Sequence, residues 1–402
     1  MDKKILFAHN YAYLRGGSEK VCFDEMKILE AHGVFVDSIS VNDATSIRMN
    51  GAVANNISEP TTVDRLANLF WNRKSRAMLD RILNGKVDYD ILHAHNIYGR
   101  LSHSLVSVAK KHGLKVVVTL HDMKYVCPHY TALNNNNLCS DCSGGRFYKA
   151  SINKCHKDSY VASTLISFEL YFLYYSGLLS LVDEFISPSK FLIDYYKKSG
   201  FPFNINYIPN FLPDMEKPNL KNEEIDKGYY LYVGRLSYEK GVMTLLKAFK
   251  KNRRKLIIIG DGPLLNEIKN YIKDSQLGNT VTLTGYLNTE GVHSYIESCS
   301  ALIVPSEWYE NAPITILEAL SYGKKILASN IGGIPEMVHE NKNGFLFSPS
   351  NCNSINEAIE KFELLSSNDQ MRMKDYSLSL SNTIFSEKEH YKKIMNLYKK
   401  YD

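Results

Sequence analysis

"GYYLYVGRLSYEKGVMTLLKAF" (Gly228–Phe249) reads as a short strand, a glycine-bearing loop and an amphipathic helix. Tyr230–Val233 form an unbroken apolar run, as expected of a strand covered on both faces. From Val242 the apolar residues Leu245, Leu246 and Phe249 recur at helical spacing. "KLIIIGDGPLLNEIKNYI" (Lys255–Ile272) repeats the scheme, and "TVTLTGYLN", "ALIVPSEW", "KKILASNIGG" and "NGFLFSP" extend it. The first half follows the same pattern. "KILFAHN" is followed by Arg15-Gly16-Gly17-Ser18 and the helix "EKVCFDEMKILEAHG", then by the strand candidates "VFVDSISV", "YDILHAHN", "KVVVTLHD" and "EFISPS". The helices "LSHSLVSVAKKHG" and "KFLIDYYKKSG" close on Lys-Lys and glycine, favourable at a helix C-terminus. This alternation predicts an α/β protein with two Rossmann-like, doubly wound domains facing across a cleft. The expected divisions are 1–205, 206–385 and a C-terminal helix, 386–402, that crosses back to the first domain; Pro209 and Pro213 stiffen the crossing.

A chain of 402 residues suits two cores rather than one, and 44% apolar with 23% charged residues is a globular composition. The net charge of +5 is too mild for a dedicated nucleic-acid binder. The N-terminus "MDKKILFAHN" has no signal-peptide core, and seven cysteines in this length do not suggest a disulfide scaffold. The expected location is the cytoplasm, with the inner face of the cell membrane as the extension of that reading. "VASTLISFELYFLYYSGLLSLV" (Val161–Val182) is long enough to span a bilayer, yet it carries Glu169 and five Ser or Thr and lacks basic flanks. A buried helix, or one lying on a membrane surface, is expected instead.

Candidate chemistry gathers in "ENAPITILEALSYG" (Glu310–Gly323). This stretch joins a strand to a helix, with Pro313 expected in the first helical turn and Asn311 as its cap. Free N–H groups at such a helix start favour an anion such as phosphate. Glu310 on the loop can meet hydroxyls beside it, and Glu318 can accept a hydroxyl pair such as that of a ribose. The alternative is a capping acid and a solvent-facing acid. Arg235 and Lys240 in "VGRLSYEKG" are cations that can reach a diphosphate; alone they are equally two solvated charges. Gly262 in "GDGP", and Gly332 and Gly333 in "NIGGIPE", allow close backbone approach, a signal that any tight turn also produces. Gly16, Gly17 and His121 follow strands of the first half. Asp88-Tyr89-Asp90 spells an Asp-x-Asp but leads into the strand "ILHAHN", so metal binding there is not expected.

Together "RGGSE", "TLHD", "VGRLSYEKG", "GDGP" and "ENAPITILEALSYG…ASNIGGIPEMV" resemble the retaining, nucleotide-sugar-dependent glycosyltransferases of the GT-B fold, family 4. The resemblance runs through nearly the whole chain; the Glu-x7-Glu block and its Gly-Gly-Ile-Pro-Glu turn are its specific part. It implies a nucleotide-diphosphate sugar donor, with Glu310 on the sugar hydroxyls, Glu318 on the ribose, and Arg235 and Lys240 on the diphosphate. Backbone around Asn311, Ala312, Ile314 and Thr315 would face sugar and phosphates. His121 would sit beside the reacting sugar, Gly16 and Gly17 near the donor phosphates, Gly262 near the ligand, and Tyr286 where backbone meets the base. No cofactor is then required for catalysis, since the two cations do a metal's work. The implied acceptor is a glycan or lipid-linked oligosaccharide of a capsule, O-antigen or exopolysaccharide. Cys127, Cys139, Cys142 and Cys155, with a Cys-x2-Cys at their centre, are enough for a structural zinc site; disulfides or plain thiols are the other readings. "WNRKSRAMLDRIL" (Trp71–Leu83) combines Trp, Arg and Lys with apolar residues, as peripheral membrane helices do. Two rivals share the donor site: a GT-B-type sugar-nucleotide epimerase or hydrolase, and a non-catalytic nucleotide-sugar-binding module.

Overall fold

Buried, uninterrupted apolar strands organise both halves of the computed structural model, which describes residues 3–42, 54–58, 68–218 and 226–401. Two units result: Met1–Asn135 with Cys139–Pro209 and His390–Asp402, and Asn136–Leu138 with Asn210–Glu389.

The first unit contains β1 (Lys4–Tyr11), α1 (Gly17–Ala31), β2 (Phe35–Asn42), β3 (Ala54–Ser58), α2 (Arg73–Leu83), β4 (Ile91–His95), α3 (Ser104–Lys111) and β5 (Lys115–Thr119). Along the chain a two-stranded hairpin, β6 (Leu133–Asn134) and β7 (Asn137–Leu138), the latter counted with the second unit, comes next, then α4 (Tyr148–Ile152), α5 (Tyr160–Tyr175), β8 (Glu184–Ser187), α6 (Lys190–Lys198) and β9 (Ile205–Tyr207). Seven strands form one parallel sheet in the order β3-β2-β1-β4-β5-β8-β9. The order reverses between β1 and β4, the doubly wound arrangement. Asn135 and Asn136 turn the β6–β7 hairpin with positive φ of 48° and 62°, a conformation asparagine tolerates best after glycine.

Unit two runs β10 (Tyr230–Val233), α7 (Val242–Asn252), β11 (Leu256–Ile259), α8 (Leu265–Asp274), β12 (Val281–Gly285), α9 (Thr289–Ser298), β13 (Ala301–Val304), α10 (Ile314–Ser321), β14 (Lys325–Ser329), β15 (Gly344–Phe347), α11 (Cys352–Glu363) and α12 (Ser367–Asn382). Its parallel sheet has the order β12-β11-β10-β13-β14-β15, reversing between β10 and β13. Two apolar layers cover it. Leu245, Leu246 and Phe249 of α7 pack with Ile268 of α8 and Ile359 of α11 on one side; Ile316, Leu317 and Leu320 of α10 pack with Ile296 of α9 on the other.

The last helix, α13 (Glu387–Tyr398), carries Ile394, Leu397 and Tyr398 into the core of the first unit, beside Phe7, Met26 and Leu29. Polar contacts lock it there. The Tyr398 hydroxyl lies 2.7 Å from His93 Nδ1, and His390 Nε2 lies 3.3 Å from a Glu25 carboxylate oxygen. Burial works to raise the pKa of Glu25, but His93, 2.9 Å away, and His390 outweigh it and hold this carboxyl well below its usual range.

The stretch Val161–Val182 is not one helix. α5 ends at Tyr175, Gly177 takes a φ of +74°, and Leu179–Leu181 form a separate 3-10 turn. No helix among the described residues is long and apolar enough to cross a membrane.

Candidate active site

Ligands of doubly wound sheets settle outside the strand C-termini where strand order reverses. In the second unit that point is flanked by the loop after β10, which carries Arg235 and Lys240, and the loop after β13, which carries Glu310. Lys240 Nζ donates to Glu310 Oε1 at 2.6 Å. Ser306 Oγ donates to the same oxygen at 2.7 Å, and the Lys240 ammonium sits 4.9 Å from the centre of the Trp308 ring. Glu310 is 6% exposed. Burial alone would raise its pKa, but the charge and hydrogen bond of Lys240, with Ser306, hold it below the usual carboxylate range. The loop therefore presents an ionised acid with a cation already on it.

Backbone contacts hold these loops together. Glu307 N–H donates to Glu239 O at 2.8 Å, and Tyr232 Oη donates to Arg235 O at 2.9 Å. Gly241 has a φ of +70°, and a Cβ there would stand 1.8 Å from Pro305 O, so only glycine lets the two loops approach this closely. Gly332, at φ +62°, does the same beneath Glu310: a Cβ would lie 2.2 Å from Glu310 O, which accepts the Gly333 N–H at 2.7 Å. The Gly-Gly turn and the acid form one support.

Arg235 is exposed and shares its loop with Lys240; its guanidinium makes no hydrogen bond or ion pair with another described residue. Pro313 is the N-cap residue of α10 rather than a member of its first turn, with φ −61° and ψ 122°, and no side chain caps the helix. Asn311 is thus not the cap: proline's ψ is extended, so helical dihedrals begin only at Ile314. Ala312 O accepts from Asn210 Nδ2 at 3.3 Å, and Ile314 and Thr315 open the helix, with Glu318 in its second turn at 8% exposure. Gly262 lies against the Leu236 backbone, next to the Arg235 loop. Tyr286 is 79% exposed just past β12, which β11 separates from β10.

Gly16, Gly17 and His121 belong to the first unit. Gly16 and Gly17 open α1 without a side-chain cap. His121, after β5, is half-buried, with Nε2 3.0 Å from His95 Nδ1. Burial, reinforced by His9 and His93, lowers its pKa to about 3, so it is a neutral ring near pH 7. The sequence reading missed this histidine cluster, in which His93 Nε2 also contacts Thr119 Oγ1 at 2.8 Å; the alternating His93 and His95 of "ILHAH" were its visible signal. It also missed Ser306 and Trp308, whose signal was their position in "VPSEWYE" directly ahead of Glu310. Within the Asp-x-Asp, Asp90 Oδ2 accepts from the Lys4 N–H at 2.8 Å and Tyr89 Oη donates to Asp37.

Cys127, Cys139, Cys142 and Cys155 are free thiols that line one small cavity with Asp141 and Tyr195. Backbone N–H groups of His129 and Ala132 reach Cys127, that of Asp141 reaches Cys139, and that of Ala150 reaches Cys142. Burial outweighs these donors and raises the pKa of all four thiols, whereas zinc coordination calls for thiolate. The four sulfurs are not gathered as closely as in a closed metal site: among the described residues, the group of three His, Cys, Asp or Glu ligand atoms all within 4.8 Å of one another is that of Glu25, His93 and His95.

Two family models together match most of the chain: residues 15–214 match Glycosyltransferase Family 4, and residues 215–379 match Glycosyl transferases group 1. A lipopolysaccharide 1,2-N-acetylglucosaminetransferase of Salmonella typhimurium is 30% identical over 44% of this chain and 53% of its own. The chain spans 53% to 62% of the length of three such curated relatives. A glycosyltransferase from Rickettsia africae superposes with a TM-score of 0.71 at 18% identity, covering 100% of this chain and 99% of that one. An Anabaena protein solved with UDP-glucose superposes with a TM-score of 0.67 at 16% identity, covering 99% of both chains. These two structures share the fold.

Proposed function

The chain belongs to the family 4 glycosyltransferases of the GT-B fold, and from that premise we propose that it is a retaining hexosyltransferase. It moves a sugar from a nucleotide-diphosphate sugar to a glycan acceptor, carried on lipid, in the assembly of a cell-surface polysaccharide. The observation that carries this reading is the ionised Lys240–Glu310 pair at the strand-order reversal of the second unit, next to the uncapped start of α10. Solved neighbours bound to UDP or UDP-glucose, and relatives named for lipopolysaccharide and O-antigen synthesis, support the donor class and the pathway class.

In this reading the diphosphate lies against Arg235, Lys240 and the first N–H groups of α10, and Glu318 takes the ribose hydroxyls. Glu310 accepts hydrogen bonds from the sugar hydroxyls while Lys240 keeps it ionised. As the bond from the anomeric carbon to the phosphate oxygen breaks, its electron pair goes to the phosphate, where Arg235 and Lys240 stabilise the growing charge. The acceptor hydroxyl bonds to the anomeric carbon on the same face and passes its proton to the leaving phosphate. These two cations supply the charge that a divalent ion supplies elsewhere. His121, a neutral ring near pH 7, is suited to hydrogen bonding and not to acid catalysis. In this reading the protein works in the cytoplasm, at the inner face of the cell membrane. The four cysteines, in the same proposal, hold a structural zinc that orders the Asn-rich loop.

The test offers the purified protein UDP-, GDP- and ADP-sugars and follows nucleotide release with and without a cell-envelope lipid extract. Release that depends on the extract, with the anomeric configuration of the donor kept in the product, is the expected result. Full-rate release without acceptor would point to a hydrolase or epimerase instead. Donor binding with no release under any condition would point to a binding module.

A further inference from the structure

Helix α5 has a second, outer apolar face. Ser163, Ser167 and Glu169 are buried with Leu170 and Leu173, while Val161 and Phe168 are 73% and 61% exposed and Tyr175 is 85% exposed. Val161, Leu165, Phe168, Phe172 and Tyr175 fall at spacings of four and three, a single stripe along the helix. The polar face is satisfied within the unit: Ser167 Oγ donates to Phe147 O at 2.9 Å, and Glu169 pairs with Lys124 at 2.7 Å. The apolar face is left to solvent, where it lines an open groove of about 750 Å³ walled by Phe70, Leu165, Phe168, Tyr171, Phe172 and Tyr175. An apolar surface this continuous, on a helix that hides its serines, marks an interaction site.

Cations stand near it. The segment leading into α5 carries Arg146, Lys149, Lys154 and Lys157, with Asp141 and Asp158 as its exposed acids. The Lys154 ammonium lies 4.6 Å from the centre of the Tyr160 ring, the stem along apolar surface and the charge at its edge. Phe70 stacks edge-on to Phe172 with centroids 5.8 Å apart, which brings the start of α2, with exposed Arg73 and Lys74, alongside the groove. An aromatic and aliphatic stripe with tyrosines at its ends, and with Lys154, Arg73 and Lys74 near it, matches the boundary between acyl chains and anionic headgroups.

We propose that the outer stripe of α5, with the basic start of α2, docks on an anionic lipid surface. It lies flat, with its aromatic residues among the headgroups and its cations on the lipid phosphates. The proposal deepens the lipid-linked acceptor of the reading above and draws its purpose from it, but its test uses no donor or acceptor, so the two stand or fall separately.

The full chain is sedimented with phosphatidylcholine vesicles and with vesicles of phosphatidylcholine and phosphatidylglycerol. Strong binding to the anionic vesicles, weakened at high salt, is expected. F168S/Y175S should lose at least tenfold in vesicle affinity at an unchanged melting temperature, since both side chains are mostly exposed. K154E/K157E should lose at least tenfold toward anionic vesicles alone. Absence of binding to either vesicle, or equal binding by the apolar double variant, would overturn the proposal. So would a native dimer, seen by size-exclusion chromatography, that F168S/Y175S converts to monomer, because a second copy would then be the occupant.

Discussion

Lys240 and Glu310, 70 residues apart in the chain, form an ion pair of 2.6 Å with the acid 6% exposed. Each needs the other. Without Lys240 the carboxylate keeps Ser306 but loses the cation that offsets its burial. Lys240→Ala should therefore cost about 2 kcal/mol of stability, read by urea unfolding, as well as roughly a hundredfold in sugar transfer. Lys240→Ala with Glu310→Gln should recover most of the stability and none of the transfer. Full transfer by the single variant would remove Lys240 from the chemistry.

Gly241 sets the distance between the two loops. Gly241→Ala places a methyl group against Pro305 O at positive φ, so it should destabilise by about 2 kcal/mol and raise the donor KM through displacement of Lys240. Gly278→Ala is the control: φ is not positive there and a Cβ meets nothing within 4 Å. Equal melting temperatures for the two variants would contradict this account of the turn.

Acid should loosen the first unit before it reaches the carboxylate range. His103 is buried against the Tyr125 hydroxyl at 2.7 Å, and burial lowers its pKa to about 3, as it does for His121. An unfolded chain binds protons on both rings below about pH 6.5 while the folded one does not, so stability falls as pH drops from there toward 3. His103→Gln should flatten that slope in melting curves between pH 6.5 and 4. An unaltered slope would show that His103 does not drive it.

Zinc in the cysteine loop is open to direct measurement. Protein purified without chelator should carry one equivalent of zinc by elemental analysis, and Cys139→Ser with Cys142→Ser should carry none. Strong chelation should lower the melting temperature while transfer at low temperature persists. Metal-free native protein with an unchanged melting curve would leave four plain thiols. Lost transfer at an unchanged melting curve would reveal a working metal.

The sequence by itself determined the alternation of strand and helix, the restart near the middle of the chain and the acids and glycines of "ENAPITILEALSYG" and "NIGGIPE", because burial periodicity and turn chemistry are local. It was silent on β3, since "ANNIS" has no apolar run, and it misjudged the start of α10 because proline accepts either the cap or the first turn. Only the tertiary structure decided who meets whom. Lys240 reaches Glu310 because β10 and β13 lie side by side where strand order reverses. Tyr398 reaches His93, and α5 turns Ser163 and Ser167 inward and Phe168 and Tyr175 outward, because the neighbours of each face come from distant parts of the chain. A pattern along one segment records that it has two faces; what covers each is settled by packing.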